Sequence, residues 1–308
     1  MNSEFFDIIR AEMQDDCAGM RRVRHGLPGL LVERYAGTLV FADNSADGSY
    51  RKTAEAAAEE LPCAILYKWR KSRNFRERNG SVLQGEPDRS IVEHGVKYAV
   101  DLMLNQDNSF YGDTRELRRY LLENSAGREV LNTFAYTGSL GVAALAGGAE
   151  KVVQSDLSGK FLALAKESAA LNDLDEKRME IVEGNFFPVV SRLKKERRQF
   201  DIIILDPPFF SSSSKGSVDL LNFPVALVNK VRPLAADGGE IIMVNNALFL
   251  SGKDFLAAAD ALCDNEYLRR AGIINIPEEF CSDSTVADPA PFNHPTKILR
   301  FQVKRKKA

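Results

Sequence analysis

From about Asn132 onward, two rhythms of apolar residues alternate along the chain. Short continuous runs end or begin near Glu129–Phe134, Lys151–Asp156, Met179–Val182, Phe200–Asp206 and Glu240–Val244. Between them the apolar positions recur at helical spacing, as in Phe161, Leu162, Leu164, Ala165, Ala169 and Leu171, a stretch that stops at Asn172-Asp173. Unbroken apolar strands alternating with helices predict a mostly parallel sheet covered on both faces. Ile298–Val303 adds a final strand, expected antiparallel at the edge. The reading is an α/β domain over residues 94–308.

Residues 1–93 have a different pattern. Gly29–Phe41 reads as a hairpin turning at Ala36-Gly37, Thr53–Leu61 as a helix and Ala64–Tyr67 as a strand. This predicts a small α+β domain ahead of the larger one, with the boundary near Glu93.

Composition narrows the class. A chain of 308 residues suits two domains, and 44% hydrophobic with 27% charged residues suits a globular core. Lys and Arg total 41 against 43 Asp and Glu, so any basic surface must be local. Cys17, Cys63, Cys263 and Cys281 lie far apart, and His25, His94 and His294 form no ligand spacing, so no metal site is expected. The N-terminus carries acids and lacks a signal-peptide run, and no apolar stretch approaches the roughly 18 residues of a membrane helix. A cytoplasmic protein with no membrane partner is the expectation.

Sheets of this kind bind ligands at the carboxyl ends of their strands. After the first strand comes Thr133-Phe134-Ala135-Tyr136-Thr137-Gly138, whose Gly138 lets the backbone turn closely around a ligand. Asp156 ends the second strand, followed by Leu157 and Ser158; its carboxylate can accept both hydroxyls of a ribose. No GxGxxG cradle is present, which disfavours a dinucleotide and suits S-adenosylmethionine, a cofactor without phosphates. Asn185 and Phe186, after the third strand, are placed for an adenine amine and ring. The fourth strand ends in Asp206-Pro207-Pro208-Phe209: a charge and two missing donors make poor core chemistry but a stiff loop beside a reacting base. On this reading Asp206 also faces the cofactor, and Phe209 stacks on the base.

At these residues the chain resembles the class I methyltransferases of bacterial large-subunit (23S) ribosomal RNA, a group with cytosine-C5 and guanine-N7 members. The matching stretches are Gly26-Leu27-Pro28-Gly29-Leu30 with Glu33-Arg34-Tyr35, Asn105-Gln106 through Phe110-Tyr111-Gly112-Asp113-Thr114-Arg115, Leu131 to Gly138, Ser155 to Ser158 and Asp201 to Phe210. The resemblance implies a Rossmann-like class I methyltransferase sheet, and it places Gln106, Phe110, Tyr111, Asp113 and Arg115 in the cofactor pocket's wall. The chain departs from the group at Ser109–Arg115, where relatives carry Gly-Phe-Phe/Tyr-Leu-Asp-Gln-Arg, and at Asn185, where an acid is common. Many relatives have an RNA-binding domain ahead of the Gly-Leu-Pro-Gly segment, for which the stretch before Gly26 is too short.

The target atom follows from nucleophile chemistry. Cytosine C5 is a weak nucleophile, and enzymes that methylate it first add a cysteine thiolate to C6. Neither Asp206–Phe210 nor Val244-Asn245-Asn246-Ala247 holds a cysteine. Guanine N7 needs only to be held in line with the methyl group, and Asn245-Asn246 resembles the guanine-N7 members, with amides able to read a base edge. RNA is further suggested by Lys68–Arg78, where basic residues interleave with Trp69 and Phe75, by Arg21–His25 and by Lys304–Lys307. The expected function is methylation of a base nitrogen in ribosomal RNA. A methyltransferase of proteins or small molecules and a catalytically silent RNA scaffold remain alternatives, with an NAD-linked oxidoreductase behind them.

Overall fold

The computed structural model describes residues 3–208, 210–213, 216–219, 224–247, 250–264, 266–281 and 286–305. Phe209, Lys215, Lys306 and Lys307 lie outside the described residues. The chain divides into two compact units, Met1–Gly112 and Asp113–Ala308.

In the first unit, helix α1 (Ser3–Glu12) precedes a sheet of β1 (Met20–Val23), β2 (Leu30–Tyr35), β3 (Thr38–Asp43), β4 (Ala64–Trp69) and β5 (Ser81–Gln84), in that spatial order. Strands β2 and β3 form the expected hairpin, with Tyr35 opposite Thr38 across Ala36-Gly37. Helix α2 (Arg51–Glu60) makes the crossover between the parallel pair β3 and β4. Phe5, Ile9, Val32, Phe41, Ala57 and Ile65 fill the core between helices and sheet. A short helix α3 (Phe75–Asn79) follows β4, and a second hairpin pairs β6 (Ser90–Glu93) with β7 (Val96–Ala99). The expected boundary at Glu93 would cut this hairpin. Its β6 strand is tied to the first unit by Val92 N–H donating to Ala18 O at 2.8 Å, which is why the unit runs on to Gly112.

The second unit is the predicted α/β domain. Helix α4 (Arg115–Asn124) leads into β8 (Glu129–Thr133), α5 (Ser139–Ala146), β9 (Lys151–Asp156), α6 (Gly159–Leu171), β10 (Met179–Glu183), α7 (Phe186–Lys195) and β11 (Phe200–Leu205). A small antiparallel pair, β12 (Phe210–Ser213) and β13 (Gly216–Asp219), precedes α8 (Pro224–Val231) and β14 (Ala235–Asn245). The chain closes with α9 (Gly252–Cys263), β15 (Leu268–Ile274), α10 (Glu278–Cys281) and β16 (Lys297–Val303). The main sheet has the order β10-β9-β8-β11-β14-β16-β15. Strands β10, β9, β8, β11 and β14 run parallel, and β16 runs antiparallel to both of its neighbours. The antiparallel strand therefore sits one place in from the edge, and β15 is the edge.

One face of this sheet packs Leu131, Val153, Ile203 and Ile241 against Val190 and Leu193 of α7, Val228 of α8 and Phe255 of α9. That buried, nearly unbroken apolar face is what the sequence rhythm encodes. Strand order reverses between β8 and β11, which puts the crevice for a ligand at their carboxyl ends.

Candidate functional site

The loop after β8 is built under constraint. Phe134 and Tyr136 both have left-handed backbones, φ 54° and 52°, and Gly138 follows at φ 76°. Two aromatic residues in that region carry a steric cost that surrounding contacts must offset. Those contacts come from a buried polar group: Asn132 Nδ2–H donates to Gln154 Oε1 at 2.9 Å, and Gln154 Nε2–H donates to Gly138 O at 3.2 Å. A Cβ on Gly138 would stand 2.4 Å from Ala165 Cβ, and one on Gly141 2.4 Å from Gln154 Cδ. Glycine at both positions lets α5 press against Gln154. The strand rhythm gave no hint of Gln154, because a buried glutamine on a covered strand is legible only from its partners.

Asp156 closes β9 as a prepared acceptor. Its Oδ2 accepts from Tyr136 N–H at 2.8 Å and its Oδ1 from Ser158 N–H at 3.0 Å. The carboxylate is thus fixed by the first loop, and each oxygen keeps a lone pair for a further donor. Ser158 is spent as the cap of α6, accepting from Phe161 N–H. Leu157, between them, is 59% exposed, an apolar surface beside an acid.

Other expected contacts are otherwise engaged. Thr133 is buried and its hydroxyl donates to Ile204 O at 2.7 Å, joining β8 to β11. Phe186 is 6% exposed and stacks on Phe134, centroids 4.7 Å apart and planes 20° apart, so that ring face is already covered. Asn185 caps α7, accepting from Phe187 N–H at 3.1 Å. Thr137 is buried, and Tyr136 sets its ring edge-on to Phe161 at 4.8 Å. Gln106, Phe110 and Tyr111 belong to the first unit, Gln106 and Tyr111 exposed and Phe110 buried against Tyr98.

Asp206 is the most distinctive group. It directly follows β11 and precedes the buried Pro207 and the exposed Pro208. Burial, and then the neighbouring charge of Asp113, push its carboxyl up to about 7. Among the described residues none hydrogen-bonds to it. Asp113 is itself held by Thr296, whose hydroxyl donates to Asp113 Oδ2 at 2.6 Å. Arg115 pairs with Glu279 of α10 at 2.8 Å and lies over the Phe280 ring, so it braces the start of α4. Two carboxyls close together, one without a hydrogen-bond donor, attract a cation, and the ammonium and sulfonium of S-adenosylmethionine supply such charge. With the fixed Asp156 carboxylate two strands away in the sheet, the residues present fit that cofactor.

At the end of β14, Asn245 is fully buried and its Oδ1 accepts from Ala247 N–H at 2.9 Å, an Asx turn at the strand end. Asn246 is half-buried, and its Oδ1 has no hydrogen-bond partner among the described residues. Of the pair, Asn246 holds the open acceptor.

The sheet order, the single inserted antiparallel strand and the acids ending β9 and β11 define a Rossmann-like class I methyltransferase fold. The chain belongs to the S-adenosylmethionine-dependent methyltransferase family, whose profile matches residues 51–290. S-adenosylmethionine is that family's cofactor. It is similar to ribosomal RNA large subunit methyltransferase I of Vibrio parahaemolyticus, 36% identical over 199 residues, covering 61% of this chain and 50% of the relative. The counterpart of Vibrio campbellii is 35% identical over 221 residues, covering 67% of this chain and 55% of the relative. The chain thus spans about half the length of the curated relatives it matches. Among solved structures it is similar in fold to a methyltransferase complexed with SAH (TM-score 0.82, 22% identity, 97% of this chain and 79% of that one). A SAM-dependent methyltransferase from Streptococcus mutans gives TM-score 0.79 at 21% identity, covering 97% of this chain and 78% of that one.

Proposed function

We propose that the chain transfers the methyl group of S-adenosylmethionine to a base nitrogen of ribosomal RNA, with guanine N7 as the favoured atom. The observation that carries this reading is Asp206, a carboxyl that receives no hydrogen bond among the described residues, followed by Pro207 and Pro208 and raised to about 7 by burial and Asp113. S-adenosylmethionine supplies the electrophilic methyl when bound. Asp156 would hold the ribose hydroxyls and Leu157 would lie against the adenine, in the place first given to Phe186. Asp113 and Asp206 would face the cationic methionine end, and Asn246 would offer an acceptor to the base edge.

Nitrogen is favoured over cytosine C5 because no cysteine stands at the ends of β11 or β14. Cys17 and Cys63 belong to the first unit, Cys263 ends α9 and Cys281 ends α10. Burial raises the thiols of Cys63 and Cys263, which disfavours the reactive thiolate. An RNA substrate is favoured by the names of the Vibrio relatives and by the exposed Lys71, Arg73 and Arg76. A bacterial cytoplasm is the compartment in which such a substrate is met.

The test is mass spectrometry of nucleosides from purified ribosomal RNA of a deletion strain and its complemented parent. Loss of N7-methylguanosine at one position is expected. Loss of 5-methylcytidine instead would overturn the nitrogen assignment, and an unchanged nucleoside profile would move the search to protein or small-molecule acceptors.

A further inference from the structure

The first unit contains a cavity that the methyl-transfer chemistry does not use. It has a volume of about 340 Å³ and is lined by Gly48, Arg51, Tyr67, Trp69, Arg76 and Gly80, together with two acids, Asp47 and Glu77. We propose that this cavity binds one nucleotide of single-stranded RNA, with the base against Trp69 and the phosphate toward Arg51 and Arg76. The proposal rests on the RNA reading above and adds a second contact point for that substrate.

The aromatic wall is rigid. Trp69 Nε1–H donates to Ser45 O at 3.1 Å, and the backbone of Gly48, at φ +71°, lies so close that a Cβ there would stand 3.1 Å from indole Cδ2. Tyr67 is fixed by its hydroxyl, which donates to Asp43 Oδ2 at 2.8 Å. The Arg51 guanidinium lies 5.5 Å from the Tyr67 ring centroid. A flat, half-buried indole with arginines at the rim suits a ring that carries a phosphate, because stacking tolerates any base and guanidinium pairs with phosphate. Glu77 is held in place by a hydrogen bond it accepts from the Ser72 hydroxyl, and its charge offsets part of that of the arginines.

The approach to the cavity has the same character. Lys71, Arg73 and Arg76 are exposed along the segment that leads into and through α3. Phe75, on the same helix, is 63% exposed with the Arg78 guanidinium 5.9 Å from its ring centroid. An exposed aromatic ring between basic side chains is the composition of a strand-tracking surface. Lys68 is not part of it, because that side chain is buried.

Trp69 is the chain's single tryptophan, so its emission reports on this cavity alone. The full-length protein is titrated with a fluorescein-labelled, mixed-sequence single-stranded RNA heptamer, reading tryptophan emission and fluorescein anisotropy together. Saturable quenching of Trp69 with the same midpoint as the anisotropy change is expected. Arg76→Glu should weaken both about fivefold or more, and Phe75→Ala about threefold. Both side chains are exposed, so circular dichroism should stay native. Trp69→Phe, which keeps a ring, should lose the emission change and retain anisotropy binding. Anisotropy binding with unchanged emission and an inert Arg76→Glu would overturn the cavity proposal while the RNA reading stands. No binding in either channel, with methyl transfer to a protein acceptor instead, would overturn both.

Discussion

If Asp206 faces the cofactor as proposed, cofactor binding depends on pH. A cationic cofactor prefers the ionised carboxylate, and in the free protein that form is gained only as pH rises through about 7. Apparent affinity should therefore climb by up to about tenfold between pH 6 and 8, with proton release on binding near pH 6.5. Asp206→Asn should flatten the profile; calorimetry in buffers of different ionisation enthalpy reads both effects. The stability sign is opposite. Because the folded value is raised above the ordinary carboxylate range, the folded protein keeps a proton that the unfolded chain has lost, so stability falls as pH rises from about 4 to 7. Asp156→Ala should weaken the cofactor by about 1–3 kcal/mol, the cost of leaving hydroxyls unpartnered, and an unchanged affinity would remove it from the ribose role. Lys68 titrates in the other direction. Burial, and then Arg70, hold it down to about 7, and its Nζ donates to Asn105 O at 2.7 Å. The folded protein therefore binds fewer protons there than the unfolded chain, and stability should rise from about pH 7 to 10. In Lys68→Met that rise should vanish from urea-melt midpoints.

At the scale of elements, the β8 loop is expected to couple stability to binding. Gly138→Ala must place a methyl group 2.4 Å from Ala165 Cβ on a left-handed backbone. Strain of about 1–2 kcal/mol and overpacking of about 1–3 kcal/mol should lower the urea midpoint and weaken the cofactor together. Unchanged values for both would mean that the loop is free to shift. The elements themselves were legible where burial on both sheet faces forced continuous apolar runs: β8 to β11 and β14 follow the predicted strands closely. Edge strand β15 was not, because Leu268-Arg269-Arg270-Ala271-Gly272-Ile273-Ile274 exposes its middle to solvent and loses the apolar rhythm. The candidate site is legible at strand ends, where Asp156 and Asp206 break an apolar run, and the proposed roles of both carboxylates rest on that. It was misread where a side chain's partner lies far along the chain. Phe186 looks like an open platform until Phe134 covers it, and Asp113 depends on Thr296, distant in sequence. In the same way Lys68 reads as a surface cation until β4 is seen to be covered on both faces.

The whole molecule carries a net charge of −2, so it cannot be drawn to RNA by its total field. On the proposed RNA reading, attraction comes from a few placed cations. If about three or four phosphates are neutralised, the logarithm of single-stranded RNA affinity should fall against the logarithm of salt with a slope of about −2 to −3. A slope near zero in filter-binding titrations would contradict a phosphate-contacting surface.

The position of β16 also sets an order of events when the chain is made. Among the described strands, edge strand β15 pairs with β16 alone, which is synthesised after it. A nascent chain that has emerged through residue 281 therefore has β15 in hand without the strand it pairs with, while β8, β9, β10, β11 and β14 can already assemble as a parallel core. During that interval the unpaired edge is open to chaperones and proteases. The last strand works as a latch, closing one side of the sheet when the ribosome delivers Lys297–Val303.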